Sequence, residues 1–156
     1  MPPNHAGPII IERGNPHLKT AYFRKNACGN RIRYVYDDEL SSDEGVDILI
    51  RDGGILFPSI RCGGNLIFDE SPEDRSVVMV SVNGSVVVNG VIVGGSLIAG
   101  SISCHSIKAV WIAAKSIDTI GDIKCSGGIE YGDAASLRCG GSLWIPGKVI
   151  TDEEDQ

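Results

Sequence analysis

The stretch Ile92-Val93-Gly94-Gly95-Ser96-Leu97-Ile98-Ala99-Gly100-Ser101-Ile102-Ser103-Cys104-His105-Ser106-Ile107-Lys108-Ala109-Val110-Trp111-Ile112-Ala113-Ala114-Lys115-Ser116-Ile117-Asp118-Thr119 keeps a five-residue beat. Ile or Leu stands at 92, 97, 102, 107, 112 and 117, and a small residue follows two places later at Ala99, Cys104, Ala109, Ala114 and Thr119. A helix repeats near 3.6 residues and a lone strand repeats at 2. A beat of five requires a chain that turns a corner after every short strand, which is the signature of a β-solenoid. Residues two apart on a strand point the same way, so the large and the small member of each unit both face inward. The intervening Gly and Ser residues turn the corners.

Working outward, the ladder of large apolar positions extends upstream through Ile55, Ile60, Leu66, Val77, Val82 and Val86, and downstream through Ile123, Ile129, Leu137, Leu143 and Val149. Every fourth member falls into a column: Leu97, Ile117 and Leu137 in one, and Val82, Ile102, Ile123 and Leu143 in another. This predicts an all-β parallel helix with four sides and about 20–22 residues per coil. The phrase Arg61-Cys62-Gly63-Gly64-Asn65-Leu66 returns as Arg138-Cys139-Gly140-Gly141-Ser142-Leu143, an internal repetition that supports the same reading. The solenoid is expected over 46–150. An N-terminal capping segment is expected over 1–45, with a short strand at Arg31–Tyr36, and an acidic tail over 151–156.

The repeat Gly95-Ser96-Leu97-Ile98-Ala99-Gly100-Ser101-Ile102-Ser103-Cys104 resembles the Gly-Ser-Ile-Lys-Ala-Gly repeats of phage and bacterial β-solenoids, and is similar to pentapeptide-repeat proteins with the large and small members exchanged. A more distant resemblance, in the Gly-x-Ile texture, is to bactofilins. The first resemblance implies a right-handed coil and a non-enzymatic role, in some cases as an acidic imitation of DNA that blocks a nucleic-acid-binding protein. The second implies a self-assembling scaffold.

Charge is unevenly spread. Residues 1–36 carry six Lys/Arg and one acid, whereas residues 37–156 carry eight Lys/Arg and nineteen acids, on a chain of net charge −6. An acidic body disfavours direct binding of nucleic acid and suits a protein partner with a basic nucleic-acid-binding surface. Two acidic groups are candidates for that contact: Asp37, Asp38, Glu39, Asp43 and Glu44, and Asp69, Glu70, Glu73 and Asp74. If the two groups converge, they make a strongly negative patch near the first coils.

A second candidate surface is aromatic. Trp111 stands where neighbouring repeats have Ser, so it is expected to face solvent, with Val91 and Tyr131 twenty residues to either side on the same face. Trp144 follows the inward Leu143 and is also expected outside. Such a strip would anchor a protein partner. No comparable cap is visible at the C-terminal end, so a homodimer through a solenoid end is expected.

The chemistry-bearing residues are sparse. The five cysteines form no C-x-x-C pair, and they are read as small core residues of a reduced cytoplasmic protein in a bacterial host cell. Cys104 and Cys125 are expected to stack one coil apart. His105 precedes Ser106 at a corner, with no acidic orienter at a recognisable spacing, and the Gly-Gly pairs lack the Lys of a phosphate loop. The sequence therefore predicts no catalytic residue, cofactor or metal, and no apolar run reaches membrane length.

Overall fold

The computed structural model describes residues 7–25, 31–69 and 78–151. These residues form parallel β-strands wound into six stacked coils, with two further strands closing the N-terminal end. The closing strands are β1 (Ile9–Ile11) and β2 (Leu18–Lys25). The first coil is β3 (Arg31–Tyr36), β4 (Leu40–Ser41) and β5 (Ile48–Ile50); the second is β6 (Ile55–Phe57), β7 (Ile60–Cys62) and β8 (Leu66–Phe68). The third is β9 (Met79–Val82), β10 (Ser85–Val88) and β11 (Val91–Val93). The strands then lengthen and bend around corners: β12 (Ser96–Cys104), β13 (Ser106–Thr119) and β14 (Ile123–Tyr131). The last coil ends on β15 (Leu137–Cys139) and β16 (Leu143–Trp144), and β17 (Lys148–Thr151) begins a seventh turn.

The pairing register gives the coil three sides. Side A stacks Tyr34, Ile55, Val80, Leu97, Ile112, Ile129 and Val149. Side B stacks Leu40, Ile60, Val86, Ile102, Ile117 and Leu137. Side C stacks Ile9, Ile48, Leu66, Ile92, Ile107, Ile123 and Leu143. The expected four sides are therefore corrected to three. In the regular middle, register partners such as Ile102 and Ile117 lie fifteen residues apart, three units of five. A spacing of twenty occurs between the first two coils, from Leu40 to Ile60, and again in the last coil, between Ile117 and Leu137, Ile123 and Leu143, and Ile129 and Val149. There the corners are longer, one of them holding a 3-10 turn at Ala134–Ser136, so the extra residues lengthen corners without adding a side.

The interior is mostly aliphatic. Ile48, Leu66, Ile92, Leu97, Ile112, Ile123 and Ile129 are fully buried, and Phe57 and Phe68 fill the wider N-terminal coils. The corner between β11 and β12 shows why glycine recurs at turns. Gly94 and Gly95 take φ of 78° and 69°, and a Cβ on Gly95 would strike the ring of Phe68 in the coil above. Polar corners are also stacked. On the edge leading into side C the Asn65 amide N–H donates to the Asp47 carboxylate and the Val91 N–H to the Asn65 side-chain oxygen, each at 2.8 Å, and Ser142 N–H does the same to Asp122. A short polar side chain at this corner thus satisfies a backbone donor that the turn would otherwise leave unpaired.

Parallel stacking is already present upstream of residue 46, where the sequence beat becomes visible: β1 stacks on β5, β3 on β6 and β4 on β7. β1 lies on β5, and β2 pairs antiparallel with β3, Leu18 opposite Tyr36 and Thr20 opposite Tyr34. The rings of His17, Tyr36 and Phe57 stack in series, with centroids 5.4 and 5.1 Å apart, and tie the cap to the core.

Candidate functional site

The acidic residues occupy different corners of the N-terminal coils. Asp37, Asp38 and Glu39 lie between β3 and β4, Asp43 and Glu44 between β4 and β5, and Asp69 directly after β8. The described carboxylates thus mark each of the three edges and do not form one patch. Glu70, Glu73 and Asp74 lie outside the described residues. Several of the carboxylates already have partners. Asp37 sits 3.0 Å from His17 Nδ1 and 3.9 Å from Lys19 Nζ. Asp69 lies 3.5 Å from Arg51 Nε, whose Nη1 also reaches Glu12 at 3.4 Å. The Ser59 hydroxyl donates to Glu39 at 2.6 Å. Asp38, Asp43 and Glu44 are exposed and enter no ion pair among the described residues.

The aromatic strip is not assembled. Val91 belongs to side C, where it pairs with Ser106, whereas Trp111 belongs to side A between Ser96 and Gly128. Tyr131 is also on side A, but two residues past the inward Ile129, so its ring packs against the core. The twenty-residue interval that suggested a shared face does not hold at Val91, whose register partner Ser106 lies fifteen residues on. Trp111 itself is half-buried because the residue below it is Gly128, whose missing side chain lets the indole lie flat against the next coil. The register slips between Ala109 and Trp111, and Trp111 Nε1 is buried with no hydrogen-bond partner among the described residues. Trp144 faces out as expected, 54% exposed.

Two surface features were not anticipated. The outward row of side C begins with four stacked apolar residues, Ile10, Leu49, Ile67 and Val93, before changing to Lys108 and Lys124. Each follows an inward position by one residue, which is the signal that would have found them. On side A an open groove of about 240 Å³ runs between Ile98 and Tyr131 over Ala113, with Lys115 and Glu130 at its margins.

The two ends of the rod differ. At the N-terminal end Leu40, the first inward residue of side B, is 1% exposed, and Ile9 and Tyr34, the first of sides C and A, are half-buried. At the C-terminal end the equivalent inward residues Leu143 and Val149 are 49% and 37% exposed, and Leu137 is half-buried. Among the described residues β15, β16 and β17 each pair on one edge only.

Cys104 and Cys125 lie in separate columns. Cys104 stacks on side B above Thr119, with Cys139 below that, and Cys125 lies on side C under Ala109, so the expected Cys104–Cys125 stack does not form. Burial, helped by the Asp118 carboxylate, pushes the Cys104 thiol up to about 12, and burial does the same at Cys125. Both are poor nucleophiles and poor metal ligands at neutral pH. His105 Nδ1 stands 3.4 Å from the Ser106 hydroxyl at an exposed corner, a loose contact between chain neighbours. Among the described residues no group of three or more His, Cys, Asp or Glu is placed to hold a metal, and no helix is long and apolar enough to cross a membrane.

No protein-family model, curated protein or solved structure matches the chain. What the fold defines is an all-β protein of the β-solenoid class, built from parallel stacked coils.

Proposed function

We propose that the protein is a non-enzymatic binding module that engages the basic, nucleic-acid-binding surface of another protein, as a phage-encoded inhibitor of a host defence or DNA-processing complex in the bacterial cytoplasm would. The observation that carries this reading is the set of exposed carboxylates on the first-coil corners, Asp38, Asp43 and Glu44, which have no cationic partner among the described residues of a chain whose net charge is −6. Carboxylates spaced around a rigid rod present a fixed negative field, which attracts Arg- and Lys-rich surfaces and speeds encounter. The resemblance of the repeat to pentapeptide-repeat proteins, some of which imitate DNA, supports the same class of function. A bactofilin-like filament has less support, because head-to-tail growth needs two open ends and β1 and β2 cover one of them.

The test uses purified nucleic-acid-binding complexes, with a DNA duplex as competitor. The protein should displace DNA, with an affinity that falls steeply as salt rises. The combined substitution Asp38→Asn, Asp43→Asn and Glu44→Gln should weaken it by at least about tenfold. Salt-insensitive binding, or a triple variant that binds as well as the parent, would point away from the carboxylates.

A further inference from the structure

We infer that the groove on side A is a seat for a single arginine side chain presented by a partner protein, with Glu130 as its counter-ion. The inference rests on the function proposed above for the source of the arginine, which is the basic surface of that partner. The groove is made by one missing side chain. Ile98, Ala113 and Glu130 are register partners that each follow an inward residue, so they stack as an outward row. Ala113 stops at Cβ between two longer neighbours and is buried despite its outward position. It forms the floor of an open groove of about 240 Å³, with Ile98 as one wall, Tyr131 as the other, and Lys115 and Glu130 at the margins.

Charge sets the class of ligand. Glu130 is half-buried and enters no ion pair among the described residues. A carboxylate beside apolar groups has lost part of its water, and a cation that pairs with it offsets that loss. Lys115 is also unpaired among the described residues, but it is exposed, so water already satisfies it. Asp133 follows Gly132, which lines the groove, and is exposed there. Two carboxylates against one ammonium make the groove attractive to a cation and unattractive to an anion.

Shape then selects among cations. The groove is smaller than the roughly 300–1,000 Å³ of sites that enclose a small-molecule ligand, and it is open, which suits one side chain held by a larger partner. The floor at Ala113 and the wall at Ile98 can take an aliphatic stem. A guanidinium is planar and weakly hydrated, packs against an aromatic wall and meets a carboxylate through two N–H groups. An ammonium holds its water more tightly and lacks that fork. Lys115 fixes the direction of entry, because the cationic head must point to Glu130 and away from the Lys115 margin. Ile98, Ala113 and Glu130 belong to the fourth, fifth and sixth coils, whereas Asp38, Asp43 and Glu44 lie on the first, so the two sets of acids act at separate places on the partner.

Titration of the isotope-labelled protein with N-acetylarginine amide, followed by NMR, tests this. N-acetylcitrulline amide is the neutral isostere and N-acetyllysine amide the ammonium control. The expected result is a set of shifts confined to Ile98, Ala113, Glu130, Tyr131 and their neighbours, with a dissociation constant of about 1 mM for so small a probe. The citrulline and lysine probes should bind at least about fivefold more weakly. Glu130→Gln should abolish the shifts, and Lys115→Ala should strengthen binding by removing a repulsion. Ala113→Leu should fill the groove and abolish binding with the circular dichroism unchanged. Shifts that are absent or spread over the rod, equal binding of either control probe, or a Lys115→Ala variant that binds more weakly would each overturn the assignment. The probe assay is independent of any DNA-binding complex. If DNA is displaced but the arginine probe finds no site, the seat fails and the function proposed above stands; if the probe binds as expected but no DNA is displaced, that function fails and the seat stands.

Discussion

The indole of Trp111 lies against Gly128, the residue one coil further on, at the point where the pairing of β13 with β14 slips. A Cβ built on Gly128 would stand 2.5 Å from Trp111 Cζ3, and would also collide with the Lys148 carbonyl of the following coil. Gly128 has φ of 140°, which other residues rarely adopt. One glycine thus seats a bulky ring on a flat sheet and lets the backbone bend beneath it.

Gly128→Ala should therefore cost about 2–4 kcal/mol, from backbone strain and overpacking together. Chemical denaturation measures it. Trp111→Ala placed on top should recover the packing share and leave the backbone share, a favourable coupling of about 1–2 kcal/mol in a double-mutant cycle. If Gly128→Ala is neutral, or the two losses simply add, the ring does not depend on that glycine.

Much of the fold was legible because each five-residue unit carries its own instruction. Ile102 and Cys104 point inward and Gly100-Ser101 lies between successive inward pairs, and this much needs no knowledge of the rest of the coil. The number of sides depends instead on which units meet across coils, which no single unit encodes. The intervals Ile117 to Leu137 and Ile123 to Leu143 suggested four sides because lengthened corners mimic an added side in a one-dimensional pattern. The Val91–Trp111–Tyr131 strip failed for the same reason. The outward Trp144 was legible, since it depends only on local alternation after the inward Leu143. The pairing of Asp37 with His17 and of Asp69 with Arg51 was not, because both join residues brought together only by coiling.

Three sides predict a definite outward neighbour for every exposed position. Ser103 pairs with Asp118 fifteen residues on, and both face out on side B. Spin labels at Ser103→Cys and Asp118→Cys, on a background lacking the accessible native thiols, should show strong dipolar broadening, since register partners on adjacent parallel strands sit about 4.8 Å apart. A label pair at Ser103 and Lys124, which a four-sided coil would bring together, should not, because Lys124 lies on side C. The reverse pattern would restore the four-sided coil.

The buried thiols give the protein an alkaline limit. Cys104 and Cys125 have pKa values pushed up to about 12 in the folded chain, against an ordinary value of 9.0. A raised pKa leaves stability whole below the unfolded value and erodes it above, because the unfolded chain loses its thiol protons first. The window is therefore pH 9 to about 12. One pH unit above the unfolded value, each thiol should cost about 1 kcal/mol of stability. Urea midpoints should hold steady through neutral pH and fall beyond it, and Cys104→Ala with Cys125→Ala should flatten that fall at some cost in packing. Thiol reagents at mildly alkaline pH should leave both cysteines unlabelled until the chain is unfolded. Rapid native labelling of either one, or an alkaline fall that survives the double substitution unchanged, would show that these two thiols do not set the limit.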